Sequence, residues 1–493
     1  LVCPENAGSV SFKEVIMIEY TATYTDQYEL SMAQAYFLGG RAEETAVFDY
    51  FFRKLPFKSG YAVFAGLQTL LDILRDFHFN QHDLRFLSEN GFDGRFLDYL
   101  KAFRFSGDIY SCREGEIVFG TEPVLQIEAP VIEAQIVETI LLNLINFQTL
   151  IATKASRMRQ AAGVEGKLVD FGLRRAQGPG GYYAARAAII GGFDATSNVR
   201  AGRDFGMDIS GTMAHSFVQS YDSEIDAFRE FAKIWPGNAV FLVDTYNTLR
   251  SGVPNAIIVG KEMEGRGQRL KGIRLDSGDL AAMAKRSRKM LDEAGLNYVK
   301  IAASNKLDEY VIRSLREQNA PIDMYGVGTR LVVGSPDGAL DGVYKLSFAG
   351  GKPRIKLTED LSKITLPYRK QIYRLKDDNN GWVGADCISV HDETGSKRMH
   401  HPFEPLKSMQ IGHYRKEPLL QMVMRKGKQT NTPATIKETS DYFGSRLEKL
   451  PAEYKRFENP HLYKIGVSDG LKKERDKLIE QYRRSLHEDP DPY

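Results

Sequence analysis

At 493 residues the chain is too long for one simple core, since domains usually run to ~100–200 residues and α/β barrels to ~250. Its composition, 42% hydrophobic and 26% charged, is that of an ordinary globular protein, and 66 basic against 64 acidic side chains give no electrostatic reason to expect nucleic acid or a membrane as partner. Cys3, Cys112 and Cys387 stand far apart and form no CxxC pair, which argues against a disulfide framework and a structural zinc site and suits a reducing, cytoplasmic setting.

The N-terminus shows no basic region followed by a long apolar run, so no secretory signal is expected. From Thr25 to about Ser106 the pattern is mainly helical, with Asp26 placed to cap the stretch DQYELSMAQAYF. Residues 107–130 read as short strands broken by Gly and Pro turns, and helical periodicity returns from Ile132 to Ala162. The most apolar part of that stretch, Ile140 to Ala152, is interrupted by Asn143, Asn146 and Gln148 and is shorter than the ~20 residues of a bilayer span, so it reads as a core helix. Residues 1–150 are thus expected to form an N-terminal helical region with a β segment at 107–130.

Residues 151–340 carry the strongest organisational signal. Six short apolar runs end in small, polar or charged residues: LVDFGLR from Leu168, ISGTMAH from Ile209, VFLVDTY from Val240, GIRLDSGD from Gly272, KIAASN from Lys300 and MYGVGT from Met324. Amphipathic stretches such as Leu280 to Ala294 lie between several of them. A buried strand, a polar tip and a helix repeated every ~25–40 residues is the rhythm of parallel βα units, shared by closed barrels and open doubly wound sheets. The expected fold class is α/β, an irregular, TIM-like α/β barrel whose strand tips meet on one working face. After about Leu340 strand patterns return, and residues 341–493 are expected to be β-rich and then helical, packing with the 107–130 strands as a second, mainly β domain. The charged stretch from Gly470 reads as a solvated helix.

The strand tips hold the candidate chemistry. Of nine histidines only His215 lies between His82 and His391, just past an apolar run and a Gly211-Thr212 turn. A lone histidine is more often structural, but an imidazole held by a carboxylate can act as base or as phosphoryl carrier, and Asp244 at the tip of VFLVD is the natural partner. Arg174, Arg175 and Arg274 end apolar strands, where a guanidinium must be paired. Salt bridging to Asp170, Asp276 or Asp279 is the plain explanation for any one of them, whereas three converging on one face suit an anionic ligand. Gly326, Gly328 and Thr329, preceded by the Ser304-Asn305 tip, suit a phosphate cradle, although a G-x-G-T alone is usually only a turn. Asp276 is the better candidate for substrate, while Asp279 is placed to cap the next helix. The Gly178-Pro179-Gly180-Gly181 stretch reads as a mobile flap or a surface turn.

These strings also resemble a known family. TDQYELSMAQAYF, FFRKLPFKSGYAVFAGL, NFQTLIATKASR, DFGLRRAQG, GGFDATSNV, GTMAHSF, VDTYNTLRSGVPNA, GIRLDSGDL, ASNKLDE and YGVGTRL occur in the order seen in bacterial-type nicotinate phosphoribosyltransferases, from about Thr25 to Arg374. The resemblance implies an enzyme joining nicotinate to 5-phosphoribosyl 1-diphosphate on the route to NAD, with ATP as co-substrate and Mg²⁺ accompanying the diphosphate. It implies that His215 becomes the phosphohistidine and that Asp244 pairs with it. Thr212 and Arg274 would hold nicotinate with Arg174 nearby, Thr329 with Gly326 and Gly328 would hold the ribose 5-phosphate, and Tyr28 would reach the pyridine ring from the other subunit of a homodimer. Met213 stands where some bacterial relatives have a histidine.

Three alternatives frame the expectation. Nicotinamide-using relatives place an aspartate near the base, and Ser197 occupies the matching position here; a carboxylate there would repel nicotinate. A non-catalytic ligand-binding barrel would have lost His215, Asp244 or Arg274, and all are present. An aldolase-like barrel would want a strand-tip lysine, and Lys306 sits a residue or two late.

Overall fold

The computed structural model describes residues 19–358, 363–393 and 395–487. Cys3 therefore lies outside the described residues, as does the end of the charged C-terminal stretch beyond the helix Asp469–His487. Among the described residues no helix is long and apolar enough to cross a membrane.

Six parallel strands make the central sheet: β1 (Lys167–Asp170), β2 (Ala195–Thr196), β3 (Val240–Leu242), β4 (Gly272–Leu275), β5 (Lys300–Ser304) and β6 (Met324–Val327). Their spatial order is β2-β1-β6-β5-β4-β3. Helices such as Val253–Glu264, Leu280–Glu293 and Glu309–Glu317 return the chain between strands, as parallel pairing requires. The strands are short and mainly apolar, Leu168, Phe241, Ile273 and Ile301 all being buried, because both faces are covered. The irregularity of the sheet lies at its seam. β2 and β3 form no ladder with each other, and Ile209 makes only an isolated parallel bridge to Thr196. The run from Ile209, expected as a strand, is thus a single bridge followed by a loop. The short strand β2, inside GGFDATSNV, takes the place beside β1.

Of the two other large sheets, one uses both ends of the chain and one only the C-terminal part. Thr45–Phe52, Asp108–Ser111 and Leu125–Pro130 join Gly342–Ala349, Lys352–Pro353, Gln421–Arg425 and Lys428–Gln429 in one seven-stranded sheet. A six-stranded sheet is built wholly from strands between Lys370 and Ser468. The expected boundary at residue 150 falls inside the 25-residue helix Glu138–Ala162. Its first half, from Ile140 to Leu150, packs in the core under the seven-stranded sheet, and its second half, from Ile151 to Ala162, in the core beside the parallel sheet. The helix therefore welds the two regions along one rigid rod.

Asp26 occupies the N-cap position of the helix Gln27–Leu38 without a side-chain cap bond. Its carboxylate instead accepts from the Thr139 hydroxyl at 2.9 Å, fastening the helix start to the rod. Of the stretch 178–181, expected as a flap or a surface turn, Gly178 and Pro179 form a turn and Gly180 and Gly181 already begin the helix Gly180–Ile190, which buries Ala184, Ala185, Ala187 and Ala188.

Candidate active site

The register of the parallel sheet brings the tips of β1, β4, β5 and β6 side by side: Arg274 pairs with Ala302, Ser304 with Gly326, and Asp170 with Val327. On that face Arg274 is the hub. Its Nε donates to Ser304 Oγ at 2.9 Å, its Nη1 to Thr212 Oγ1 at 3.2 Å and its Nη2 to Asp276 Oδ1 at 3.0 Å. Ser304 Oγ donates in turn to Asp276 Oδ1. Phe171 lies against the guanidinium, its ring centroid 5.2 Å from Cζ. Four residues expected from sequence, Thr212, Arg274, Asp276 and Ser304, are thus in direct contact although up to 92 positions apart in the chain.

His215 opens the short helix His215–Gln219. Its Nδ1 is 3.1 Å from Thr245 Oγ1, and its Nε2 is 3.8 Å from Asp276 Oδ2. The expected pairing with Asp244 is not the one seen. Asp244 Oδ2 accepts from the Asp276 backbone N–H at 2.9 Å and from Ser277 Oγ at 2.6 Å, so it braces the turn that carries Asp276. Its Oδ1 is buried without a hydrogen-bond partner. The reason is positional. Asp244 stands one residue closer to the strand than Thr245 and points along the sheet toward the next tip, while the hydroxyl after it faces the ring. Asp279 Oδ1 caps the helix Leu280–Glu293 through the Ala282 N–H at 3.0 Å.

The other expected residues are placed differently. Arg174 and Arg175 are not buried strand ends: they form the exposed 3₁₀ turn Leu173–Arg175 and have no ion pair among the described residues. The buried acid at that tip, Asp170, binds the Gly172 N–H at 2.8 Å and the Thr196 hydroxyl at 2.7 Å, and burial pushes its carboxyl up. Gly326 has a packing role, since a Cβ there would meet the Phe171 ring at 2.4 Å. Gly328 precedes the four-residue helix Thr329–Val332, with the Thr329 side chain exposed. Asn305 and Lys306 both take positive φ, which turns the chain sharply after β5. Ser197 is partly exposed just past β2, its N–H donating to the Asp170 carbonyl at 2.8 Å. Tyr28 is 52% exposed on the helix Gln27–Leu38, away from the strand-tip cluster in its hydrogen bonding. Beyond the Gly180 turn lies a cleft of ~680 Å³ lined by Phe147, Tyr183 and Val332 among others.

Sequence reasoning missed Phe171, Thr245 and Ser277. Each directly follows a residue it had singled out, Asp170, Asp244 or Asp276, and a strand tip presents successive side chains to different neighbours.

Comparison with known proteins agrees over nearly the whole chain. Residues 23–146 match the nicotinate phosphoribosyltransferase N-terminal domain and residues 369–475 the C-terminal domain. The chain is 42% identical to the nicotinate phosphoribosyltransferase of Bacillus subtilis, covering 96% of this chain and 99% of that one. It is 37% identical to the Dictyostelium discoideum enzyme over 92% of this chain and 87% of the relative. The crystal structure of human nicotinic acid phosphoribosyltransferase superposes with a TM-score of 0.84 at 30% identity, covering 92% of this chain and 99% of that one. The chain belongs to the nicotinate phosphoribosyltransferase family.

Proposed function

We propose that the strand-tip cluster is the active centre of a nicotinate phosphoribosyltransferase of NAD salvage. It joins nicotinate to 5-phosphoribosyl 1-diphosphate, giving nicotinate mononucleotide and diphosphate, with ATP hydrolysis coupled through His215. The observation that carries this reading is Arg274. A guanidinium has five N–H groups, and the three bonds to Ser304, Thr212 and Asp276 leave one on each terminal nitrogen. A partly exposed guanidinium with two unspent donors and an aromatic ring on one face suits the planar carboxylate of nicotinate.

In this reading Thr212 shares the carboxylate with Arg274. Asp276 Oδ2, the oxygen not bound to Arg274, faces the reacting sugar and His215. ATP passes its γ-phosphoryl group to a His215 ring nitrogen as ADP leaves, and Thr245 fixes the ring. Asp244 keeps the Asp276 turn in place. The exposed Arg174 and Thr329, with Asn305, Gly326 and Gly328 behind them, form the phosphate side of the mouth. Among the described residues no three His, Cys, Asp or Glu side chains gather as a metal cage. Mg²⁺ would be held mainly by substrate oxygens with Asp276 beside it, where it would neutralise the leaving diphosphate. Tyr28, exposed and distant in contacts, serves a second copy of the chain in a homodimer. Cys112 and Cys387 are free and buried, which supports a cytoplasmic location.

The test compares nicotinate, nicotinamide and quinolinate as acceptors, each with and without ATP. Nicotinate is used best and faster with ATP; preference for another acceptor refutes the substrate assignment. His215→Ala abolishes coupled ATP hydrolysis while slow uncoupled product formation persists; intact ATP stimulation in that variant refutes the phosphohistidine.

A further inference from the structure

We infer that Ser304 is a positioning residue for the Arg274 guanidinium, not a phosphate ligand, and that it thereby sets the enzyme's grip on the nicotinate anion. The inference rests on the reading that Arg274 holds the nicotinate carboxylate.

Ser304 is 3% exposed at the end of β5. Its hydroxyl has one proton and two lone pairs. The proton goes to Asp276 Oδ1, and one lone pair accepts from Arg274 Nε at 2.9 Å. Phosphate oxygens at neutral pH are acceptors, so a serine that binds phosphate must donate to it. Ser304 has no proton left to donate unless it releases Asp276. The expected role in a phosphate cradle is therefore at odds with its bonding.

The same bonds fix Arg274. Nε and Nη2 lie along one edge of the guanidinium, and Ser304 Oγ with Asp276 Oδ1 occupies that edge as a hydrogen-bonded pair. Thr212 takes one N–H of Nη1 at 3.2 Å, and Phe171 closes one face. Phe171 has room to do so because its neighbour on β6, Gly326, carries no side chain, and Gly326 stands in register with Ser304. Rotation about the last side-chain bonds of Arg274 is blocked on three sides, so its two unspent N–H groups are held in place. Preorganised donors grip a carboxylate more tightly than a mobile arginine, because the ordering cost is met before the ligand arrives. Without the Ser304 hydroxyl, Nε loses its partner and Asp276 loses the group that ties it to the arginine.

The experiment is steady-state kinetics on the full chain with Ser304→Ala, Ser304→Thr and Arg274→Gln, with Tm measured for each. Ser304→Ala is expected to raise the nicotinate KM roughly tenfold, the worth of about one hydrogen bond, while the KM for 5-phosphoribosyl 1-diphosphate stays within about twofold. Ser304→Thr keeps the hydroxyl and is expected to return the nicotinate KM toward the starting value. If the extra methyl lowers its Tm, Ser304→Cys, nearly the same size with a weaker donor, is expected to fall between Ser and Ala. A rise in the 5-phosphoribosyl 1-diphosphate KM alone, or no change in either constant, overturns the inference. If Arg274→Gln also leaves the nicotinate KM unmoved, the assignment of Arg274 fails as well; if only Ser304→Ala is silent, the failure is confined to Ser304.

Discussion

Two arginine–carboxylate networks in this molecule are bonded alike and differ in how far solvent reaches them. In the sheet built from the C-terminal strands, Arg374 binds Asp386 through Nε and Nη2, Glu116 through Nη1 at 2.6 Å and the Ile117 carbonyl through Nη2 at 2.7 Å. Arg446 binds the same Glu116 at 2.8 Å and Glu417 at 3.0 and 3.1 Å. Trp382 lies 4.2 Å from the Arg374 guanidinium carbon, and the side chains of Arg374, Asp386 and Glu116 are at most 2% exposed. At the strand tips Arg274 and Asp276 keep 14% and 27% exposure, with two N–H groups unspent. The first network is closed and ties Glu116, ahead of the rod helix, to the C-terminal strands. The second is open on one side. Pairing alone does not distinguish the two; the unspent donors of Arg274 lie where a ligand can reach them, and those of Arg374 and Arg446 do not.

Three substitutions press on that contrast. Arg374→Ala leaves Asp386 buried without its cation and Glu116 with Arg446 alone, at a cost of about 3–5 kcal/mol, and is expected to lower soluble yield and Tm sharply. Arg274→Gln is expected to leave Tm nearly unchanged but to lower kcat/KM for nicotinate about 10- to 100-fold, the worth of charge-assisted hydrogen bonds. A comparable loss of Tm in the two variants would erase the distinction. The smallest effect concerns Glu122. Burial and the neighbouring Asp386 push its carboxyl well above the usual carboxylate range, against the Arg374 charge and the Phe119 N–H. A carboxyl raised in the folded state stabilises fully below the unfolded carboxylate range and loses that contribution as pH rises through the folded value. Glu122→Gln is therefore expected to match the parent near pH 4 and to exceed it in Tm at pH 8. An identical pH profile for the two proteins would show that Glu122 is ionised.

The strand-tip cluster was legible because βα rhythm places tips on one face whatever their spacing in sequence. His215, Arg274 and Asp276 were found that way, and family strings named their roles. What was not legible is which neighbour each tip side chain meets. Arg174 and Arg175 sit a turn beyond β1 and are exposed, because the strand ends at Asp170. Asp244 braces a turn instead of the ring, a difference of one position that periodicity does not resolve. The run at Ile209 has strand composition but no ladder, since Gly211 and the turn into His215 interrupt pairing after one bridge. The Arg374 network escaped notice entirely, because Glu116 is 258 positions away and no local pattern announces such a contact.

The cores also differ in how much chain each must wait for. The cluster around Phe241, Ile273 and Ile301 draws all its buried residues from 213–301, a contiguous stretch. The core beneath the seven-stranded sheet runs from Ala22 to Met424 and includes Leu30 and Ala33 of the helix that bears Tyr28. During synthesis, the shelf carrying Arg274 and Asp276 has its own packing partners as soon as residue 301 has left the ribosome, whereas the N-terminal layer must hold open until the strand ending at Arg425 arrives. Aggregation risk during translation is therefore expected to fall on the N-terminal layer, whose apolar strands wait longest for their partners.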